Sequence, residues 1–189
     1  MNDELFLRGH RVPMTKEAVR LLALERLALG HAKSLIDVGA GTGSISIEAA
    51  LRHPKLEILA IERNQDALGL IAENCQNFGC HNVQIIPGMA PQPIDKIVDA
   101  IFIGGSGGQL TELIDWSLAH LSTGGRLVMS FILLENLTKA LAYLQNCAVT
   151  QLDGCEIQVG SLTSLGQGHY FKPNNPAYLI SCLKETCCD

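Results

Sequence analysis

The string Ile36-Asp37-Val38-Gly39-Ala40-Gly41-Thr42-Gly43-Ser44 constrains this chain more than any other part of it. A short apolar run, Ser34 to Val38, leads into alternating glycines, and a helix-like segment from Ser44 to Leu51 follows. Strand, tight loop and helix in that order predict a loop built for a ligand. Glycine adopts backbone angles closed to other residues and lets a ligand lie against the main chain, while the amides at the following helix start attract carboxylate or phosphate. A nucleotide P-loop would end in Gly-Lys-Ser/Thr, and no lysine is present here. A dinucleotide loop, G-x-G-x-x-G, would place glycine where Ser44 stands.

The same alternation runs through most of the chain. Strands are expected near Leu56–Ile61, Val83–Ile86, Val98–Ile103 and Gly125–Phe131, and helices near 15–30, Gln65–Phe78, Leu110–Leu121 and Leu134–Leu144. Val149–Val159 and Ala177–Leu183 read as two longer strands, separated by a polar stretch, Gly160 to Asn175, with no helix signature. An α/β fold follows, a mostly parallel sheet with helices on both faces and a C-terminal antiparallel pair. At 189 residues, with no repeat or linker, one domain is expected, with an N-terminal arm over 1–14. Glu62, at the end of the second expected strand and 23 positions after Gly39, suits an acid that accepts hydrogen bonds from both hydroxyls of a ribose. Dehydrogenases use the same device, so Glu62 alone does not discriminate.

Composition narrows the partners. Fourteen Lys+Arg against 19 Asp+Glu give a net charge of −5, which opposes general attraction to nucleic acid. Only 17% of residues are charged, below the usual ~25%, which points to subunit interfaces. The absence of a long apolar run predicts no membrane span, and a start without a secretory h-region predicts a cytoplasmic protein. Seven cysteines without a C-x-x-C pair are expected to be reduced, most of them buried, and no His/Cys cluster has metal-ligand spacing. Arg8, Arg11, Lys16 and Arg20 concentrate positive charge in an otherwise acidic chain, a segment able to fold over the site and pair with an anion.

The D-x-G-x-G-x-G form of the loop resembles the first motif of class I S-adenosylmethionine-dependent methyltransferases. After the fourth strand, where amino-group methyltransferases often carry D/N-P-P-Y/F, this chain has Ile103-Gly104-Gly105-Ser106-Gly107-Gly108, a loop rich in amides for a carboxylate. Pro13-Met14-Thr15-Lys16-Glu17, the Asp37–Ser46 loop, Ala60-Ile61-Glu62-Arg63, Gly88-Met89-Ala90-Pro91 and Phe102 to Gly108 together resemble the decarboxylating cobalt-precorrin-6B C15-methyltransferase family of anaerobic cobalamin biosynthesis. The resemblance spans nearly the whole chain. It implies a seven-stranded class I methyltransferase sheet, a homotetramer whose contacts involve the terminal strands, S-adenosyl-L-methionine as methyl donor, and an anionic cobalt-corrinoid substrate that carries its own metal. Cofactor contacts would be Thr15, Gly39, Ala40, Gly41, Thr42, Gly43, Glu62 and Ala90. Substrate contacts would be Arg8, Arg11, Gly104, Gly105, Ser106 and Gly107. Thr15 also has an ordinary reading as a helix N-cap. Ser106, His10 and Tyr170 are candidate proton donors, none of them singled out. Other small-molecule or tRNA methyltransferases, and an NAD-dependent oxidoreductase, are the alternatives.

Overall fold

The structure, a computed structural model, describes residues 1–10 and 12–185; Arg11, Cys187 and Cys188 lie outside the described residues. Its frame is a seven-stranded sheet of β1 (Ser34–Val38), β2 (Glu57–Glu62), β3 (Val83–Pro87), β4 (Val98–Ile103), β5 (Leu121–Phe131), β6 (Val149–Ile157) and β9 (Ala177–Lys184). The strand order is β3-β2-β1-β4-β5-β9-β6, parallel except for β9, which runs antiparallel to both β5 and β6. The expected antiparallel pair is thus formed by β6 and β9, with β9 inserted beside β5 rather than added at the rim.

Alternation along the central strands builds two core layers. Leu35, Ile58, Ala60, Ala100 and Phe102 point to one face, against α1 (Glu17–Leu27), α2 (Ser44–Arg52) and α3 (Gln65–Phe78). Ile36, Val38, Leu59, Ile61, Ile101 and Ile103 point to the other, against α4 (Leu110–His120) and α5 (Leu134–Leu144). Successive side chains of a strand face opposite ways, so a strand covered on both faces reads as the unbroken apolar run seen in the sequence. Each fully buried Leu or Ile contributes about 1.5–3 kcal/mol. Cys75, Cys80 and Cys182 belong to these layers, and burial pushes the Cys75 thiol up to about 11 and that of Cys182 up to about 12. Among the described residues, no helix is long and apolar enough to cross a membrane.

Three local expectations need correction. Helix α1 starts at Glu17 with Lys16 as its N-cap, so the Thr15 side chain does not cap it. It ends at Leu27, where Ala28 takes a left-handed conformation, before Gly30 is reached. The stretch 160–175 is not a plain loop: β7 (Gly160–Leu165) and β8 (Gly168–Pro173) form a separate two-stranded hairpin closed by Gly166-Gln167, with Gly166 at φ +60°. Glycine at positive φ inside a two-residue connection is the local signal for this turn.

Candidate active site

In open α/β sheets ligands bind beyond the carboxyl ends of the strands, where the strand order reverses. Here that point lies between β1 and β4. The Gly39 and Ala40 amides both donate to the Ile61 carbonyl (3.0 and 3.1 Å), Gly104 N–H donates to Val38 O (2.9 Å) and Gly88 N–H to Glu62 O (2.9 Å). These bonds knit the ends of β1, β2 and β4, with the segment after β3, into one platform.

Two cavities open on it. The smaller, about 240 Å³, is lined by Glu62, Met89, Ala90 and the Gly104–Gly107 loop; the larger, about 890 Å³, is lined by Thr15, Phe131, Ile132, Leu133 and, from the hairpin side, Asn174 and Asn175. Pro13, Gly39, Gly104, Gly105 and Ser106 line both and so stand between them. Among the sequence candidates, Glu62, Ala90, Gly41 and Gly107 border the smaller cavity, and Thr15 and Ala40 the larger. Thr42 and Gly43 border neither: Thr42 is buried behind the loop, and the Cβ position of Gly43 faces Ile71 and Ile47. Arg8 is exposed and borders neither cavity. Ser106 lies at the junction, His10 is exposed, and Tyr170 stands on β8 away from both linings.

Glu62 is 8% exposed and already organised. One carboxylate oxygen accepts the Gly41 N–H (2.9 Å); the other accepts those of Arg63 (2.9 Å) and Asn64 (2.8 Å). A carboxylate offers about four lone-pair sites, so three backbone donors leave one for a ligand hydroxyl rather than the two expected from the sequence. Asp37 ends deeper in the sheet, accepting a 2.6 Å hydrogen bond from Ser46 Oγ while Oδ1 has no partner. Burial, partly offset by the Ser46 bonds, pushes its carboxyl up to about 6.

Gly41 is the tightest point. At φ +59° a Cβ there would lie 2.4 Å from the Pro13 carbonyl oxygen, so the arm crosses directly over the loop. The arm is anchored upstream at Phe6 and Leu7. Phe6 packs on Phe78 with ring centroids 5.3 Å apart. Buried Asn74 exchanges hydrogen bonds with the Leu7 backbone (2.8 and 3.2 Å) and donates to Thr42 O (3.0 Å). The expected positive segment breaks up here, because Arg20 is fully buried and paired with Glu48 and Asp3. Among the described residues, Lys16 is the one lysine or arginine that borders the larger cavity. Asn74 and the polar lining at Asn136, Asn174 and Asn175 carry no local sequence signal of a site; only the fold brings them to it.

A seven-stranded sheet of this order, with a glycine loop after its first strand and an acid closing its second, defines a class I methyltransferase. Residues 6–184 match the precorrin methyltransferase domain family, and the chain belongs to that family. It is 61% identical over 185 residues to the cobalt-precorrin-6B C(15)-methyltransferase (decarboxylating) of Salmonella typhimurium, covering 98% of this chain and 96% of that one. A probable enzyme of the same name from Sulfurisphaera tokodaii is 38% identical, with 94% of each chain covered. Among solved structures, precorrin-6y C5,15-methyltransferase from Geobacter metallireducens superposes with a TM-score of 0.90 at 33% identity, covering 97% of this chain and 96% of that one. Precorrin 8w decarboxylase from Methanobacterium thermoautotrophicum gives 0.88 at 30% identity, covering 96% and 98%.

Proposed function

We infer that this protein methylates C15 of cobalt-precorrin-6B with S-adenosyl-L-methionine and removes the carboxyl of the C12 acetate as carbon dioxide, giving cobalt-precorrin-7 in anaerobic cobalamin biosynthesis. The observation that carries this reading is the 61% identity to the Salmonella enzyme across 98% of the chain. The methyl donor fits the residues present: an acid with a free acceptor site borders the smaller cavity, and the side-chain-free backbone of Gly39, Gly41 and Gly104, Gly105 and Gly107 lines it. A sulfonium supplies an already activated methyl group.

The remaining work belongs to the chain. Glu62 anchors the ribose, Ala90 lines the adenine end, and the backbone of Gly39 and Gly41 borders the methionine end, with Thr15 across the junction and Thr42 and Gly43 supporting the loop from behind. The junction of Pro13, Gly39 and Gly104–Ser106 aligns donor and acceptor, which is the main requirement when an enamine-like carbon attacks an activated methyl. The larger cavity presents Met14, Phe131, Ile132 and Leu133 to the flat macrocycle, with Lys16 and the asparagines near its anionic side chains. Arg8 and Arg11 are assigned to the periphery of the substrate. C15 gains the methyl carbon and gives up a proton; the acetate loses carbon dioxide, and the electron pair left behind takes up a proton to leave a methyl group.

The protein is inferred to act in the cytoplasm as a homotetramer. In the β7–β8 hairpin, Leu162 (63% exposed) pairs across the strands with Phe171 (71% exposed). A two-stranded ribbon is marginal alone, and apolar pairs on it favour contact with further copies. Side-by-side calorimetric titration with S-adenosylmethionine and NADH tests the cofactor assignment. Binding of the first alone is expected; binding of NADH alone would return the protein to the oxidoreductase alternative.

A further inference from the structure

Helix α1 buries a guanidinium completely, and nothing in the reaction calls for one there. Arg20 Nε donates to Glu48 on α2 (2.6 Å), Nη1 to Asp3 (3.0 Å) and to the Thr15 carbonyl (2.7 Å), and Nη2 to the Met1 carbonyl (2.5 Å), with the Phe6 ring 5.0 Å away. Burial would raise the Glu48 carboxyl, but hydrogen bonds from Arg20, the Met1 ammonium and Arg52 outweigh it and hold the group below its usual range. A charge of this kind costs several kcal/mol to desolvate, and a packed Leu or Met on α1 would serve α1–α2 packing more cheaply. The planar fork of arginine does something else, reaching acceptors on three separate segments at once.

One of those acceptors is part of the site. The Thr15 carbonyl also accepts from Ser44 Oγ (3.3 Å), and Ser44 opens α2 directly after the glycine loop. The strip Pro13–Lys16 is therefore tied from both sides. Pro13 lies over Gly41 and borders both cavities, and Met14, Thr15 and Lys16 border the larger. We propose that Arg20 is a positioning residue: by fixing the Thr15 carbonyl it holds the strip that walls both cavities, so that affinity for methyl donor and for corrinoid depends on a side chain that touches neither. This rests on the two-cavity assignment above.

The test uses the full chain as Arg20→Lys and Arg20→Gln. Ser44→Ala releases the same carbonyl from the other side without stranding a buried charge. Leu144→Ala, a core truncation in the opposite layer, controls for lost stability. Wild-type binding of S-adenosylmethionine is measured first and tests the cofactor reading by itself; only the ratio of variant to wild type tests Arg20. Expected in Arg20→Lys is a Kd for S-adenosylmethionine raised about tenfold, equivalent to about 1.4 kcal/mol. KM should rise for both ligands with kcat much less affected. Hydrogen exchange at the Met14–Lys16 amides should quicken while β1 and β4 stay protected. Ser44→Ala should move the same quantities the same way by less, and Leu144→Ala should move none of them. Unchanged Kd and exchange in the Arg20→Lys and Ser44→Ala proteins would overturn the proposal, as would an equal loss of affinity in Leu144→Ala. An Arg20→Gln chain that fails to fold leaves the decision to those two variants.

Discussion

Replacing Gly41 with alanine acts at the closest approach in the site, and its cost follows from the geometry. At φ +59° the residue is left-handed, a conformation that costs a non-glycine residue about 1–2 kcal/mol. The new methyl group would also meet the Pro13 carbonyl oxygen at 2.4 Å. That contact is with backbone, so it is relieved only by lifting the arm or the loop, a strain of about 1–3 kcal/mol. Together the substitution should destabilise by about 2–5 kcal/mol. A domain stable by 5–15 kcal/mol still folds in most of that range. Lifting the arm also opens the junction between the cavities and pulls the Gly41 N–H away from Glu62, so binding of S-adenosylmethionine should weaken more than stability alone explains. Urea unfolding with calorimetry on the same samples measures both. Gly30→Ala is the matched control, because nothing lies within 4 Å of its Cβ position, its backbone is unstrained and it borders neither cavity. A Gly41→Ala protein with the unfolding midpoint and affinity of Gly30→Ala would be the contrary result.

Glu62→Ala should leave a folded protein whose calorimetric affinity for S-adenosylmethionine falls by about 1–3 kcal/mol, through loss of charge-assisted hydrogen bonds; unchanged affinity would remove Glu62 from the ribose site. Asp37, held up at about 6 against an ordinary 3.8, binds a proton more tightly folded than unfolded. Its contribution to stability is therefore complete below about pH 4 and lost as the pH rises through about 6, and Asp37→Asn should flatten the fall in unfolding free energy across that window. Phe171→Ser on the exposed hairpin should shift sedimentation toward smaller species without changing the far-UV spectrum. Arg8→Ala, at an exposed position, should raise the apparent constant for corrinoid slightly and in a salt-sensitive way, with affinity for the methyl donor unchanged.

What the sequence made legible was local. The Ile36–Ser44 string carries its own strand, loop and helix start within nine residues, and Glu62 sits one strand later, so loop and acid are both readable before any packing is known. Arg20 shows the opposite case. By position it belongs with Arg8 and Lys16 in a positive segment, yet the fold turns it inward onto Glu48, 28 residues away, and its charge never reaches the surface. Asn74 looks like any polar residue of α3 until the arm, 67 residues distant, is laid against it. The hairpin escaped because its strands are almost wholly exposed: burial on one face never imprinted a clean apolar alternation on 160–173, and only Gly166-Gln167 marked the turn. The division into two cavities comes from Pro13 and the Gly104–Ser106 loop meeting across the ends of β1 and β4, a relation between segments some ninety residues apart.

The reaction is tested most directly by the mass of the product formed from cobalt-precorrin-6B and S-adenosylmethionine under anaerobic conditions. The product should be a corrinoid that has gained one CH2 and lost one CO2, with one S-adenosylhomocysteine released for each. A corrinoid recovered without the added methyl carbon, from a protein that binds S-adenosylmethionine, would contradict it.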